Sequence, residues 1–166
     1  MDTKPMHPAF PISRRGTSEH KPVIPTLFEY LPSGVVAERR SANVEELLTF
    51  HETEGLAWLN VDGIHSTEMI EAIGKYVGIH PIVLEDIITP DQRPKIEYFD
   101  DYLYLVVKMF YWDAKSRSVE TEQVSIVLGS SFLLTFQEGD PEGDRDVFDP
   151  IRQRIREGRG RLVRSG

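Results

Sequence analysis

There is no cysteine in this chain, so disulfides and thiolate-bound metals are both excluded, and any metal must be held by oxygen or imidazole ligands. No apolar run approaches the roughly 18–20 residues needed to cross a bilayer. The start, Met1-Asp2-Thr3-Lys4-Pro5, lacks the apolar core of a signal peptide, so the chain as it stands reads as soluble. The glycine patterns that cradle nucleotides and the Gly-x-Ser-x-Gly turn of hydrolases are missing. The five histidines form neither His-x-x-x-His nor His-Glu-x-x-His, the helical spacings of a zinc hydrolase. The sequence thus gives no support for an enzyme.

What is present suits one folded domain: 166 residues, of which 40% are hydrophobic. The net charge of −8 is unevenly spread. From Arg145 onward there are seven arginines and three acids, whereas the first 144 residues carry 12 basic and 24 acidic groups. An acidic body is the wrong electrostatic footprint for nucleic acid and fits a surface that attracts cations or merely stays soluble.

Residues 1–22, with Pro5, Pro8, Pro11, Arg14, Arg15 and Gly16, have little periodic apolar content and read as a flexible leader. Thr26 to Tyr30 and Val35 to Glu38, separated by Pro32-Ser33-Gly34, predict a hairpin. Ser41 or Asn43 then caps a helix holding Val44, Leu47, Leu48 and His51. Ala57 to Val61 predicts a strand, and Ser66-Thr67-Glu68 opens a helix with Met69, Ile70, Ile73, Tyr76 and Val77 inward. A second short helix follows Gly78 and Pro81, and Pro90 and Pro94 end it ahead of Lys95 to Phe99. Tyr102 to Trp112, Glu122 to Leu128 and Phe132 to Gln137 form a meander, and Asp149-Pro150 starts a last helix running from Ile151 to about Glu157. The expected fold is α/β with α+β character: a mixed parallel and antiparallel sheet of about six or seven strands, with about four helices packed on both faces.

The segment Gly78 to Ile88 carries the most information. At about 100° per residue, Val83, Leu84, Ile87 and Ile88 share one helical face, while Glu85 and Asp86 flank the other, about 100° apart, with Ile82 between them. Two carboxylates suit hard divalent ions such as Mg²⁺, Ca²⁺, Mn²⁺ or Co²⁺, which want oxygen ligands and often keep several waters. Adjacent acids rarely chelate alone, so a site needs a third group from elsewhere. The plain alternative is a solvated acidic face. His65 and His80, at element boundaries, suit caps or metal ligation. Gln92-Arg93-Pro94-Lys95 places two cations near Glu85, Asp86 and Asp91, as a salt-bridged turn or an anion site. Arg152, Arg156 and Arg159 lie at helical spacing, either solvated or facing anionic lipid or RNA.

Several blocks together resemble the amino-terminal domain of CorA-type magnesium/cobalt transporters. They are Trp58 to His65, Gly78 to Ile88, Gln92 to Glu97, Tyr102 to Met109, Glu122 to Ser125, Thr135 to Glu138, and Asp146 to Arg152, in the family's order over roughly residues 57–160. The resemblance implies a cytoplasmic domain, residues 23–160, of a homopentamer lying against the membrane. Residues 161–166 would begin the connection to a stalk and two membrane helices. The chain contains neither those helices nor the family's Gly-Met-Asn signature, so it is expected to be a piece that cannot transport by itself. The resemblance assigns metal sensing to Glu85 and Asp86, with Mg²⁺ or Co²⁺ as the ion and other divalent ions open. Its rivals are a stand-alone interaction module of the same fold and a metal-dependent enzyme on the acidic face. For the enzyme, no base, nucleophile and third ligand cluster in the sequence.

Overall fold

The computed structural model describes residues 12–13, 22–31, 36–50, 55–139 and 146–158. Among these residues eight strands form one mixed sheet: β1 (Ile12–Ser13), β2 (Thr26–Tyr30), β3 (Val36–Arg40), β4 (Leu56–Asp62), β5 (Lys95–Tyr98), β6 (Tyr102–Asp113), β7 (Ser118–Gly129) and β8 (Phe132–Gln137). Three helices join them: α1 (Thr67–Val77), α2 (Pro81–Ile88) and α3 (Asp149–Arg156). The strand order is β3-β2-β4-β8-β7-β6-β5, and β1 pairs with β7. Only β4–β8 and the short β1–β7 pairing are parallel; the other five pairings are antiparallel.

Strand alternation divides the side chains between two layers. Leu59 and Val61 of β4, Leu134 and Phe136 of β8, Tyr104 and Val106 of β6 and Val127 of β7 point to one face. There they pack against Met69, Ile70 and Ile73 of α1 and Val83 and Ile87 of α2, forming the main core. The opposite register positions carry Phe28 and Trp58, which stack at 5.3 Å, and the Trp58 ring meets Phe148 edge-on at 5.7 Å just before α3. Helices thus lie on both faces. α3 covers only part of the second face, so Ile96, Tyr98 and Leu128 stay exposed there.

Several expected elements differ in extent. Helical spacing at Val44, Leu47 and Leu48 produces only a 3₁₀ turn, Val44–Glu46, capped by the Asn43 side chain. Leu47 still reaches the core through the irregular segment after that turn, as does Phe50, which was not among the residues expected on the helix. Among the described residues there are three α-helices, against about four expected for the chain. β7 begins at Ser118, four residues before the expected start. The Asp113 carboxylate accepts from the Lys115 and Ser116 backbone N–H groups, which closes the β6–β7 turn tightly enough to zip polar residues into the ladder. α3 starts at Asp149, two residues before the expected Ile151, with Phe148 rather than Asp149 at the cap position. Within the segment read as a leader, Ile12 and Ser13 pair with Val119 and Glu120. The Pro32-Ser33-Gly34 turn, His51, Arg159 and residues 161–166 lie outside the described residues.

Candidate metal site

The acidic helix is set by its two ends. α1 stops at Gly78, which takes the left-handed conformation (φ 80°) that a residue with a Cβ disfavours. Two residues later the His80 side chain accepts from the Ile82 N–H at 3.2 Å, and Pro81 takes the first turn of α2. Capping is therefore the role the structure shows for His80; its ring also stacks on Phe99. His65 is exposed, its ring beside Gly63. Val83 and Ile87 are fully buried, which rotates Glu85 and Ile82 outward into solvent.

Close packing between α1 and α2 depends on Gly74. A Cβ at that position would stand 2.5 Å from the Leu84 side chain, so its absence lets α2 approach. The far end of α2 is pinned to the sheet. Gln123 of β7, almost wholly buried, donates from Nε2 to the Asp86 carbonyl oxygen at 2.9 Å and accepts from the Gln92 N–H at 3.1 Å. Lys108 of β6 donates to the Pro90 carbonyl at 2.7 Å. The signal for Gln123 in the sequence is an amide leading into the apolar, β-branched run of a central strand.

The two adjacent carboxylates have different surroundings. Glu85 is exposed. Asp86, expected like Glu85 to meet solvent or a partner, instead turns toward β5. Its Oδ2 accepts from Lys95 Nζ at 2.6 Å, and its side chain is only 13% exposed. The same ammonium donates to Glu97 Oε1 at 3.0 Å and lies 5.5 Å from the Tyr104 ring centroid. The hydrogen bond to Asp86 holds the Lys95 ammonium above its ordinary value; partial burial opposes this and Glu97 adds to it. Burial pushes the Tyr104 hydroxyl up to about 12, so the ring beside Lys95 stays neutral. Of the cationic pair Arg93 and Lys95, Lys95 makes the salt bridge and Arg93 is exposed.

Hard oxygen donors are the right chemistry for Mg²⁺ or Co²⁺, and Glu85 with Asp86 supplies two. Among the described residues no group of three His, Asp or Glu side chains gathers closely enough to hold an ion. Among the described residues, no helix is long and apolar enough to cross a membrane.

The arginines of α3 are not a free basic face. Arg152 is buried and paired with Asp146 and, at 3.4 Å, with Asp149. Arg156 binds Glu38 of β3 through two nitrogens, at 2.7 and 2.8 Å. The expected choice between solvation and a lipid or RNA contact is thus replaced, for these two residues, by ion pairs within the chain. Exposed Arg154 is left outward.

A family model described as "CorA-like Mg2+ transporter protein" matches residues 53–163. The cobalt/magnesium transport protein CorA of Thermotoga maritima is 44% identical over 123 residues, which cover 74% of this chain and 34% of that protein. A putative metal ion transporter of Bacillus subtilis, YfjQ, is 32% identical over 87 residues, covering 51% of this chain and 26% of its own length. This chain thus spans about a third or less of the length of these curated relatives. They are transport proteins, not enzymes. The solved soluble domain of CorA from Methanocaldococcus jannaschii superposes with a TM-score of 0.57 at 14% identity, covering 80% of this chain and 46% of that one. The ZntB cytoplasmic domain from Vibrio parahaemolyticus gives 0.57 at 11% identity, covering 81% and 50%. At such identities the structural likeness speaks for the α/β fold alone.

Proposed function

Because the chain belongs to the CorA-like Mg²⁺ transporter family, we propose that it is the cytoplasmic regulatory portion of a divalent-cation transport channel, with Glu85 and Asp86 as metal ligands. The observation that carries this reading is the exposed Glu85 beside Asp86 on a helix anchored at both ends, within the matched segment. A rigid helix presents its acids in a fixed direction. Among the described residues no three such side chains gather, which favours a shared site between copies of a homo-oligomer, a pentamer in the complete protein.

The ion that Glu85 and Asp86 would hold is Mg²⁺ or Co²⁺. Bound there, it would supply positive charge to a cluster of carboxylates contributed by neighbouring copies. The remaining work falls to the chain itself. Where Glu85 faces acids of another copy, like charges about 5 Å apart repel by about 1 kcal/mol in water, and by more where water is excluded. An arrangement that brings the acidic faces together therefore needs cations, and one that separates them does not. This difference in affinity between two arrangements is what couples ion concentration to gating. α2 moves as a unit with the sheet through Gln123 and Lys108, so displacement of its acidic face carries the domain with it.

Calorimetric titration of the chain with Mg²⁺ and with Co²⁺, beside the double variant E85A/D86A, tests the assignment. The expected result is a saturable isotherm that the double variant loses, with Mg²⁺-dependent association of the unsubstituted chain in sedimentation velocity. An isotherm unchanged by the double substitution would place the ion elsewhere and overturn the reading. In the complete channel, neutralising both acids is expected to blunt the response of gating to internal Mg²⁺.

A further inference from the structure

The cation position at Asp86 is already taken by a group of this chain. Lys95 Nζ lies between Asp86 Oδ2 at 2.6 Å and Glu97 Oε1 at 3.0 Å. An ammonium held between two carboxylates satisfies the same electrostatic demand as a bound metal ion, while its stem ties it to β5. Its setting also permits movement. The Lys95 side chain is 29% exposed and that of Glu97 is 41% exposed, so neither is locked in the core, and Glu97 offers the ammonium a second partner two residues along the same strand face.

We propose that Lys95 is a tethered competitor for the divalent ion at Asp86. It occupies Asp86 when ion is scarce and withdraws to Glu97 when Asp86 takes up a divalent cation, so it sets the concentration at which the site loads. This deepens the reading of Glu85 and Asp86 as metal ligands and rests on it.

The charge count leaves room for exchange. Asp86 and Glu97 carry two negative charges against the one positive charge of Lys95, so the trio keeps a net negative charge that attracts a further cation. Any ion at Asp86 nevertheless feels the ammonium. A unit charge roughly 5 Å away, in surroundings between bulk water and protein surface, changes affinity by about tenfold. Lys95 therefore weakens the site, which suits a sensor that must release its ion at the concentrations a cell varies.

The competitor role predicts opposite effects for two substitutions that keep side-chain size. Lys95→Met removes the charge but keeps an unbranched stem over Tyr104, and should tighten Mg²⁺ and Co²⁺ binding about tenfold. Glu97→Gln leaves Lys95 with Asp86 as its only carboxylate partner, and should weaken binding several-fold. Calorimetry on the chain, K95M, E97Q and E85A/D86A reads the affinities, circular dichroism confirms that each variant is folded, and the ¹³Cε shift of Lys95 during Mg²⁺ titration reads its withdrawal. Tightening in K95M, weakening in E97Q and a moving Lys95 resonance would support the proposal. Equal affinities in K95M and the unsubstituted chain, with binding lost in E85A/D86A, would overturn the competitor and leave the metal site standing. Weaker binding in K95M would make Lys95 a residue that positions Asp86, and would also overturn it. Absence of binding in every protein, K95M included, would remove the competitor together with the site it rests on.

Discussion

Gln123 reaches from β7 to the backbone of the acidic helix, where its Nε2 donates to the Asp86 carbonyl oxygen at 2.9 Å. The same amide accepts from the Gln92 N–H at 3.1 Å and donates to Ser125 Oγ at 3.2 Å, so both of its polar atoms are engaged. It is the joint between the sheet and the end of α2.

Replacing Gln123 with leucine keeps the volume and removes that joint. The Asp86 carbonyl and Gln92 N–H lose their partner in a largely buried place, at about 2 kcal/mol of stability. Urea unfolding should report that loss, and hydrogen exchange should show α2 amides opening more readily than those of α1. Uniform protection across both helices would mean that α2 is held by its apolar contacts alone.

Gly78 sits at φ 80° with nothing within 4 Å of where a Cβ would stand. The cost of a side chain there is consequently backbone strain and not a clash. Gly78→Ala should lower stability by about 1 kcal/mol, and Gly78→Asn by less, because asparagine tolerates the left-handed region. Thermal denaturation of the two variants should rank asparagine above alanine; equal loss would point to a contact instead.

α3 is tied to the far edge of the sheet by Arg156 and Glu38 across 118 positions of sequence. The Arg156 hydrogen bond holds the Glu38 carboxyl below its ordinary value, against a smaller opposing effect of burial. A depressed carboxyl binds fewer protons folded than unfolded, so its contribution is present above the ordinary glutamate value and fades as pH falls through the folded one. Acid unfolding should therefore be steeper between about pH 5 and pH 3 for the unsubstituted chain than for Glu38→Gln. Matching acid profiles would show that the pair is too solvent-screened to matter.

Most elements could be read directly from the sequence because period-two and period-3.6 patterns depend only on backbone geometry. Val83 and Ile87 had to share a face, so Glu85 had to leave it, and the structure places all three accordingly. The same reasoning overran at Val44, Leu47 and Leu48. Three apolar residues at helical spacing do not make a helix when the next anchor, Phe50, is reached by irregular chain.

The sequence by itself determined most of the element types, the absence of thiolate chemistry, the acidic helix and the family resemblance, because each is written in local spacing or composition. Only the tertiary structure decided that Asp86 is paired with Lys95 while Glu85 stays exposed. That difference arises from β5 folding back under α2 and bringing Lys95 within 2.6 Å of one carboxylate, and no helical projection contains the neighbouring strand. The burial of Arg152 and the Arg156–Glu38 pair have the same origin. Charge partners are set by which surfaces meet, and that follows from the order β3-β2-β4-β8-β7-β6-β5, which local periodicity leaves open.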